Sequence, residues 1–574
     1  MRAQGEGVRA GELRSKGDGA EIGRTPPSSE AAGNARRSKR RSLPMRAKGA
    51  RPLLGIGNRL SKEGWFLLAI IALGILLRIY DLSGESMWLD ETVSVRLAHK
   101  GFSAIVKNRA ANFHPPLYFL LLRIWVPLFG DSESGTRSLS VLFGVASIYM
   151  LYRLASLWFD PEVGLFASLV LAASPFHIQY SQEARGYSLM GLLVLASFFF
   201  FLRLQRGGTR RDRIGYILST SLLTYTHVFG LFIPLVQNLY RFTCPVLFRR
   251  PSRPSLRDWI FLQLWLGLLF LPWLPVLLNQ IWNFQEGFRR EVPRLETIFS
   301  TFGRFAGSRG LVIFLLCFTF LALWPRRETA KTGDEASCTL ARASLLCKPP
   351  DLYLLGLWLL VPILLSFSIS QYSAPIYKYR CLIGSSFAWY LLAAFGIRRL
   401  PYPAFRILAV AGITILSFVA ASGYYRQIQK EQWREAAAYV DTIAKPGDLI
   451  LFHAGYSQRP FNYYSRRSDL PQKPFPPIIS AKSGPPSPLD LSSLIDGHSR
   501  VWLIVSHSHD QQGVGVKAMM QACRLLQQRS FKGIQVYLFE PQRAVVFSPS
   551  APVGPSSPAG KRWKSPGEEE TEEP

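Results

Sequence analysis

The sequence predicts a polytopic α-helical membrane protein of about eleven transmembrane helices, followed by a small extracytoplasmic α/β domain. Hydrophobic residues make up 48% of the 574 residues and charged residues only 18%, whereas soluble domains carry about 25% charged residues. The apolar residues are clustered into long runs that are nearly free of charge, and this pattern ends near residue 424. These observations exclude an ordinary soluble protein.

The apolar runs have the length expected of membrane spans. A helix crosses the hydrocarbon core of a bilayer with about 20 apolar residues, and about 17 are enough. The clearest runs are Trp65–Tyr80, Leu139–Phe159, Val163–Phe176, Leu189–Leu204, Trp259–Trp282, Leu311–Trp324, Leu352–Ile369, Leu382–Ile397 and Ile407–Ser422. The run from His114 to Phe129 is too short to span, so we expect it to form an apolar helix in the membrane interface.

The positive charge is distributed as in a membrane protein rather than a nucleic-acid-binding protein. The formal net charge is +29, and residues 1–62 hold 15 Lys and Arg against 5 Asp and Glu. Most other basic residues lie in short loops between apolar runs, as cytoplasmic loops do. Anionic lipids attract such basic segments. We therefore predict a cytoplasmic amino terminus, with membrane lipids and no nucleic acid among the partners.

The chain divides into four parts. Residues 1–62 and 544–574 are predicted to be disordered tails because they are rich in small, proline and charged residues. Residues 63–424 form the membrane body, and residues 425–543 the α/β domain, which lies outside if the number of spans is odd. The elements predicted in this domain are the helix Glu431–Ala444, the strands Leu449–His453, Arg500–Val505 and Ile534–Phe539, and a helix at Val516–Gln528.

Asp90 and Glu91 are the strongest candidates for catalysis. They follow Trp88 directly outside the first predicted span, where adjacent carboxylates are a poor membrane anchor. One carboxylate would act as general base on an acceptor hydroxyl or amine, while the other would bind a metal, orient the acceptor or pair with an arginine. Adjacent carboxylates are also common in solvated loops, so the prediction depends on where this pair lies.

Further candidates for substrate binding lie near the same membrane surface. His114 precedes two prolines that start a helix; it would contact a substrate or a metal, or simply begin that helix. The segment Ser174–Tyr187 places polar groups between two spans, where charge is costly. Its candidates are Tyr180, Glu183, Arg185 and Tyr187. Glu183 and Arg185 would pair with each other or line a cavity, and the tyrosines would also suit an interfacial aromatic belt.

Two outward loops contain more cations than the charge rule predicts. The loop Asn283–Gly310 contains five arginines, and the loop Gln371–Arg380 contains Lys378 and Arg380. Cations at this surface are suited to bind an anionic group such as a lipid phosphate. We predict this role for Lys378 and Arg380.

The sequence gives no strong metal or disulfide signal. The six cysteines show no paired spacing, so we predict neither a disulfide framework nor a zinc site. The stretch Ser506–Asp510 follows a predicted strand and contains two histidines and an aspartate, as in metallo-hydrolases of the β-lactamase type. Its spacing and the short domain do not fit that fold. We expect an accessory domain that helps to position an acceptor.

Together, these motifs resemble the polyprenyl-phosphate-sugar-dependent glycosyltransferases of the GT-C fold. This superfamily includes the protein O-mannosyltransferases, the aminoarabinose transferase of lipid A and bacterial galacturonosyltransferase-like membrane proteins. The matching motifs are Arg78 with Trp88–Glu91, His114–Tyr118, Phe129–Glu133 with Arg137, Ser174–Tyr187, Tyr225–His227 and Tyr377–Arg380. The resemblance covers about residues 65–425, and Cys381 stands where the family usually has tyrosine.

The resemblance implies an inverting transfer of a sugar from a polyprenyl-phosphate donor. The overall sequence pattern favours a bacterial inner (plasma) membrane. Residues 63–424 would then be the catalytic domain. Asp90 would deprotonate or orient the acceptor, which is an envelope lipid, glycan or protein. Lys378 and Arg380 would stabilise the leaving phosphate. No cofactor is required, and a divalent metal is compatible with this chemistry but not demanded.

Two other classes of protein are alternatives, and the first of them would also need many spans. A transporter or flippase of a lipid-linked precursor would use outward cations, but it typically shows ionisable residues or broken helices at mid-membrane depth in repeated halves, and the sequence shows no such repeat. A membrane-anchored scaffold would leave the polar loop residues unexplained. The glycosyltransferase is therefore our first hypothesis and the transporter the alternative.

Overall fold

The computed structural model describes residues 61–112, 114–249, 253–283, 292–324, 348–475, 488–506 and 513–542. The predicted tails lie outside these residues, apart from Ser61 and Lys62. The α-helices of the membrane body are α1 Lys62–Ile79, α2 Leu89–Ala98, α3 Phe102–Ala110, α4 Leu117–Phe129, α5 Glu133–Trp158, α6 Pro161–Ala173, α7 Pro175–Ser181, α8 Tyr187–Gln205, α9 Arg210–Thr226, α10 Phe232–Phe248, α11 Leu256–Phe270, α12 Leu274–Trp282, α13 Leu295–Ala306, α14 Arg309–Leu323, α15 Pro349–Tyr372, α16 Ile383–Arg398 and α17 Pro403–Arg426.

The helices confirm a multi-pass membrane protein. Within the described residues, seven helical segments are long and apolar enough to cross a membrane, or up to nine if each of two bent pairs is one span. The seven are Glu133–Trp158, Tyr187–Gln205, Val228–Phe248, Leu256–Trp282, Pro349–Tyr372, Tyr379–Arg398 and Pro403–Arg426. The total of eleven spans stays a prediction. The run His114–Phe129 forms a helix of 13 residues, Leu117–Phe129, which is short as expected.

Helix α16 is the centre of the membrane body. This helix is apolar on all sides, and every residue from Ile383 to Ile397 is buried. Neighbouring helices therefore surround it, as expected of a helix without a polar face. The hydroxyl of Tyr390 donates a 2.6 Å hydrogen bond to the Phe305 carbonyl and lies 3.0 Å from the Ser174 hydroxyl. These bonds fix α13 and the start of α7 against α16.

A proline breaks the span formed by α6 and α7 and brings the following loop to the candidate site. The two helices bend by 62° at Ser174 and Pro175, where proline has no N–H to donate to the carbonyl of Leu171. Buried Arg78 supplies donors instead, at 3.1 Å to the Leu171 carbonyl and 2.9 Å to the Ala172 carbonyl. The sequence motif that contains Arg78 thus has a structural role at this bend.

The carboxyl-terminal domain is a five-stranded sheet with helices on both faces. The strand order is β2-β1-β3-β5-β4, with β1 parallel to β2 and β3 and the other pairs antiparallel. Its elements are α18 Trp433–Ile443, β1 Leu449–Phe452, α19 Gln458–Tyr464, β2 Gln472–Pro474, α20 Pro488–Ile495, β3 Val501–Val505, α21 Val514–Ala522, β4 Cys523–Phe531 and β5 Ile534–Pro541. The small α/β domain and its three predicted strands are confirmed.

The predicted helix Val516–Gln528 is wrong in its second half. The helix ends at Ala522, and residues Cys523–Phe531 form strand β4 at the edge of the sheet. Lys532 and Gly533 turn the chain back into β5, and Gly533 has φ of 74°, which glycine adopts without strain. This two-residue turn favours a hairpin over a longer helix. The sequence prediction followed the helical periodicity instead and gave this turn too little weight.

We expect Gly396→Ala to destabilise the membrane body. A Cβ atom at Gly396 would lie 1.9 Å from the carbonyl oxygen of Phe318 on α14, so the two helices must move apart, at a cost of about 1–3 kcal/mol. Gly356→Ala is the matched control, since nothing lies within 4 Å of its added Cβ. Thermal unfolding of the purified protein in detergent checks this; equal melting temperatures for the two variants would contradict the packing.

Candidate active site

Asp90 lies at the start of α2 and faces two guanidinium groups. Helix α2 begins at Leu89, so Asp90 occupies its first turn, where the helix dipole favours a negative charge. Its carboxylate oxygen Oδ2 lies 3.6 Å from Arg185 and 3.9 Å from Arg380, and the Asp90 side chain is 32% exposed. The structure thus brings together three predicted residues around a carboxylate that a substrate can reach.

Arg380 is held between two aromatic rings. Its guanidinium carbon lies 5.3 Å from the Trp88 ring centroid and 5.9 Å from that of Tyr187, distances typical of cation–π contacts. The buried Nε of Arg380 has no hydrogen-bond partner among the described residues. Lys378 lies two residues earlier and is partly exposed. This loop therefore presents cations next to Asp90.

Arg185 reaches Asp90 from the loop between α7 and α8. Its side chain is buried, and it forms its ion pair with Asp90 rather than with Glu183. Burial lowers the pKa of Arg185, but Asp90 and Tyr187 outweigh this effect and hold that pKa above its usual range. Arg185 is therefore a permanent cation at the site.

Glu91 points away from Asp90 into a fully buried ion cluster. Both of its oxygens accept hydrogen bonds from Arg137, at 2.8 and 2.9 Å, and Lys430 donates to Oε2 at 3.1 Å. The backbone N–H of Ala184 donates to Oε1 at 2.9 Å. Burial alone raises the pKa of Glu91, but Arg137 and Lys430 outweigh it and lower the pKa from 4.5 to about 2. Of the roles expected for the second carboxylate, pairing with an arginine is the one this geometry favours.

Glu183 lies buried beside this cluster. Its Oε2 atom has no hydrogen-bond partner among the described residues. Burial raises the pKa of Glu183 from 4.5 to about 7, and the charge of Glu91 adds to this rise. Lys430, Arg380 and Arg185 oppose the rise in pKa without cancelling it. Glu183 is therefore the carboxyl group that titrates near neutral pH.

A small cavity lies next to Arg185, between two histidines. His114, Tyr187 and His227 are among the residues that line it. The ring centroids of His114 and His227 are 5.2 Å apart. Burial and nearby Arg185 lower the pKa of His227 to about 3, and burial also keeps the pKa of His114 well below its usual range. Both imidazoles are therefore neutral at pH 7.

His227 was not chosen as a site residue from the sequence, although the motif Tyr225–His227 was. Its Nδ1 accepts the N–H of Phe229 at 3.2 Å, and its buried Nε2 has no partner among the described residues. A neutral imidazole whose Nδ1 accepts carries its proton on Nε2. His227 thus offers one donor to a ligand in the cavity.

Tyr180 and Tyr187 are buried parts of the site rather than an exposed aromatic belt. Their ring centroids are 5.1 Å apart, and the Tyr187 ring also lies 6.1 Å from that of His227. Tyr187 thus connects the Arg380 guanidinium with the histidine cavity.

The described residues contain no group of three or more His, Cys, Asp or Glu side chains placed to hold a metal ion. In the stretch Ser506–Asp510, only Ser506 is described, so the metal signal considered there lies outside the described residues.

The fold defines the class, a multi-pass membrane protein with the fold of the GT-C glycosyltransferases. The fold resembles that of ArnT from Cupriavidus metallidurans, with a TM-score of 0.55 and 12% identity for both the apo form and the form bound to undecaprenyl phosphate. The match covers 83% of this chain and 98% of the apo chain, and 85% and 100% for the bound form. The predicted GT-C resemblance is confirmed.

Sequence comparison adds a family match. Residues 113–235 match the family model described as dolichyl-phosphate-mannose-protein mannosyltransferase. This region includes His114, the segment Ser174–Tyr187 and His227. The oligosaccharyltransferase of Archaeoglobus fulgidus also matches in structure, with a TM-score of 0.49 and 13% identity over 82% of this chain and 72% of that chain. No curated protein sequence matches the chain.

We expect Glu91→Gln to destabilise the fold and Asp90→Asn to leave it stable. Loss of the Glu91 charge leaves Arg137 and Lys430 buried without their anion, which costs about 3–5 kcal/mol. The Asp90 carboxylate is 32% exposed and its ion pairs are longer, at 3.6 and 3.9 Å, so their loss costs less. Thermal unfolding of both variants in detergent measures the difference, and similar melting temperatures would contradict the structural role of Glu91.

The contribution of Glu183 to the stability of the folded protein should fall as the pH rises from 4.5 to about 7. Glu183 has a pKa of about 7 when folded against 4.5 unfolded. The folded state therefore binds this proton more tightly, and the part of the free energy of unfolding that depends on Glu183 decreases as pH rises through this window. Buried His114 and His227, whose pKa values are lowered from 6.5, act in the opposite direction at acidic pH, so the test compares each variant with the wild type at every pH. The difference in melting temperature between the wild type and Glu183→Gln should shift with pH in the direction given, whereas the difference for Glu296→Gln, at an exposed position, should stay constant. A Glu183→Gln difference that does not vary with pH would refute the assignment.

Proposed function

We propose that this protein transfers a sugar from a polyprenyl-phosphate donor to an acceptor on the extracytoplasmic side of a bacterial inner (plasma) membrane. The observation that carries the proposal is the partly exposed Asp90 carboxylate beside two guanidinium groups, Arg185 and Arg380. The GT-C fold and the family match support it. The structure of ArnT bound to undecaprenyl phosphate supports the choice of a lipid-phosphate donor.

The cations of the site would bind the phosphate of the donor. Arg380 is held by Trp88 and Tyr187, and its Nε is a donor without a partner in the described chain. A guanidinium suits phosphate because its planar donors match the phosphate oxygens. When the sugar leaves, negative charge grows on this phosphate, and Arg380, Lys378 and Arg185 would stabilise that charge in place.

Asp90 would act as the general base. The acceptor hydroxyl or amine attacks the anomeric carbon as its proton passes to Asp90 Oδ2, and the bond from that carbon to the phosphate oxygen breaks. The electron pair leaves with the polyprenyl phosphate, and the configuration at the anomeric carbon inverts. Glu91, whose carboxylate is fully buried, would orient α2 rather than touch the substrate.

The histidine cavity would receive the sugar. It is next to Arg185 and is lined by His114, Tyr187 and His227. Two neutral imidazoles suit uncharged hydroxyl groups, and the Nε2–H of His227 would donate to one of them. Tyr180 supports the Tyr187 ring, and Glu183 would help to set the charge around Arg185 and Arg380.

The proposed sidedness is supported by contacts between the Asp90 loop and the carboxyl-terminal domain. The Ser86 hydroxyl donates to the Glu431 carbonyl at 2.7 Å, and the Met87 N–H donates to the Tyr464 hydroxyl at 2.7 Å. The loop and the domain must therefore share one side of the membrane. If the basic amino terminus is cytoplasmic and α1 crosses the membrane, as we propose, that side would be the extracytoplasmic one.

We expect Asp90→Asn to lower kcat for sugar transfer by about 10²- to 10⁴-fold, because a positioned base contributes that much, with a small change in KM for the donor. Asp131→Asn is the matched control, since Asp131 lies in an exposed loop and pairs with His99. The full chain in lipid nanodiscs is mixed with labelled polyprenyl-phosphate sugars and envelope extract, and released polyprenyl phosphate is measured.

Release of polyprenyl phosphate reports the reaction whatever the acceptor is. Full activity of Asp90→Asn would contradict the proposed base. In sealed vesicles containing the full chain, movement of the intact donor across the membrane without release would instead indicate the transporter.

A further inference from the structure

The loop before Asp90, residues 81–88, is bonded on two sides. On one side, Arg137 of α5 donates to the carbonyls of Leu82 at 2.8 Å and Glu85 at 2.9 Å, and to that of Ser86 at 3.2 Å. These bonds come from the membrane body. On the opposite side, the loop forms hydrogen bonds with the segment that leads into the carboxyl-terminal domain and with the domain itself.

The connector between the membrane body and the domain, residues 427–432, contacts the second half of this loop and Glu91 after it. Lys430 is buried and donates to Glu91 Oε2 at 3.1 Å and to the carbonyl of Gln182 at 2.8 Å. The Glu85 carboxylate accepts the backbone N–H of Gln429, and the Ser86 hydroxyl donates to the Glu431 carbonyl. The connector is thus part of the buried ion cluster rather than a loose linker.

The domain itself adds two bonds to the 81–88 loop. The Tyr464 hydroxyl accepts the N–H of buried Met87 at 2.7 Å and donates to Glu133 Oε1 at 2.9 Å. Arg434 donates to the Ser83 carbonyl at 2.9 Å. Met87 lies three residues before Asp90, so a shift of its backbone moves the start of α2.

We propose that the carboxyl-terminal domain and its connector hold the 81–88 loop in place and thereby set the position of the Asp90 carboxylate. Lys430 and Tyr464 are the positioning residues. This inference rests on the proposed function of Asp90 as a base. A displacement of about 1 Å at a reacting group can cost about 100-fold in rate, so such support has a measurable effect on kcat.

The adjacent Tyr463 separates positioning from simple attachment. Its hydroxyl donates to the Asp131 carbonyl at 2.7 Å, so it also joins the domain to the membrane body, but without touching the 81–88 loop. Both tyrosines belong to α19. A domain that served only as an attached module would be equally sensitive to the loss of either hydroxyl.

The test compares Tyr464→Phe with Tyr463→Phe in the full chain. Each change removes one hydroxyl and keeps the ring. We expect Tyr464→Phe to lower kcat about tenfold with KM for the donor within about twofold, and to speed amide hydrogen exchange in peptides that cover residues 85–92. Tyr463→Phe should leave both quantities near wild type. Lys430→Met should lower kcat at least as much as Tyr464→Phe.

The two readouts separate the possible results. Unchanged exchange in Tyr464→Phe would overturn the inference, and so would faster exchange with a kcat equal to that of Tyr463→Phe. If Lys430→Met does not fold, the comparison of Tyr464→Phe with Tyr463→Phe tests the inference by itself. Absence of transfer by the wild type with all donors would refute the proposed function instead, and the exchange rates would still show whether the domain holds the loop.

Discussion

The buried ion cluster around Glu91 is the interaction on which the site depends. A buried carboxylate is costly by several kcal/mol unless it is paired and fully hydrogen-bonded. Glu91 meets this condition with two hydrogen bonds from Arg137, one from Lys430 and one from the Ala184 N–H. These partners come from α5, the connector and the loop between α7 and α8. One side chain therefore fixes α2 against three separate parts of the chain.

This arrangement explains how two adjacent carboxylates acquire different roles. Successive residues in a helix point about 100° apart, so Glu91 and Asp90 cannot both enter the buried cluster. Glu91 faces Arg137, and Asp90 faces Arg185, Arg380 and solvent. The rigid anchoring of one carboxylate then holds the other at a partly exposed position. Under the proposed function, this is the preorganisation that an active site needs.

Much of the architecture could be predicted from local sequence patterns. Apolar runs identified spans, the prolines after His114 marked the start of α4, and apolar segments marked β1, β3 and β5. The edge strand β4 could not be separated from a helix by periodicity, because its side chains are mostly exposed and follow no clear alternation. The turn at Lys532 and Gly533 was the decisive local signal there.

The partners within the site were harder to predict because they come from distant parts of the sequence. Lys430 lies 339 positions after Glu91, and no local pattern connects them. His227 occurred in a recognised motif, yet its unpartnered Nε2 becomes visible only once the cavity beside Tyr187 is known. The candidates Asp90, Arg185 and Arg380 were chosen singly from the sequence, and their meeting at one point depends on how α2, the α7–α8 loop and the start of α16 pack.

The most direct test of the account is a cryo-electron microscopy structure of the full chain in nanodiscs with bound polyprenyl phosphate. We expect the phosphate to contact Arg380 and Lys378, with the Asp90 carboxylate on the side that opens to the histidine cavity. A phosphate bound on the opposite face of the membrane body, or at a site remote from Arg380 and Asp90, would contradict the central claim.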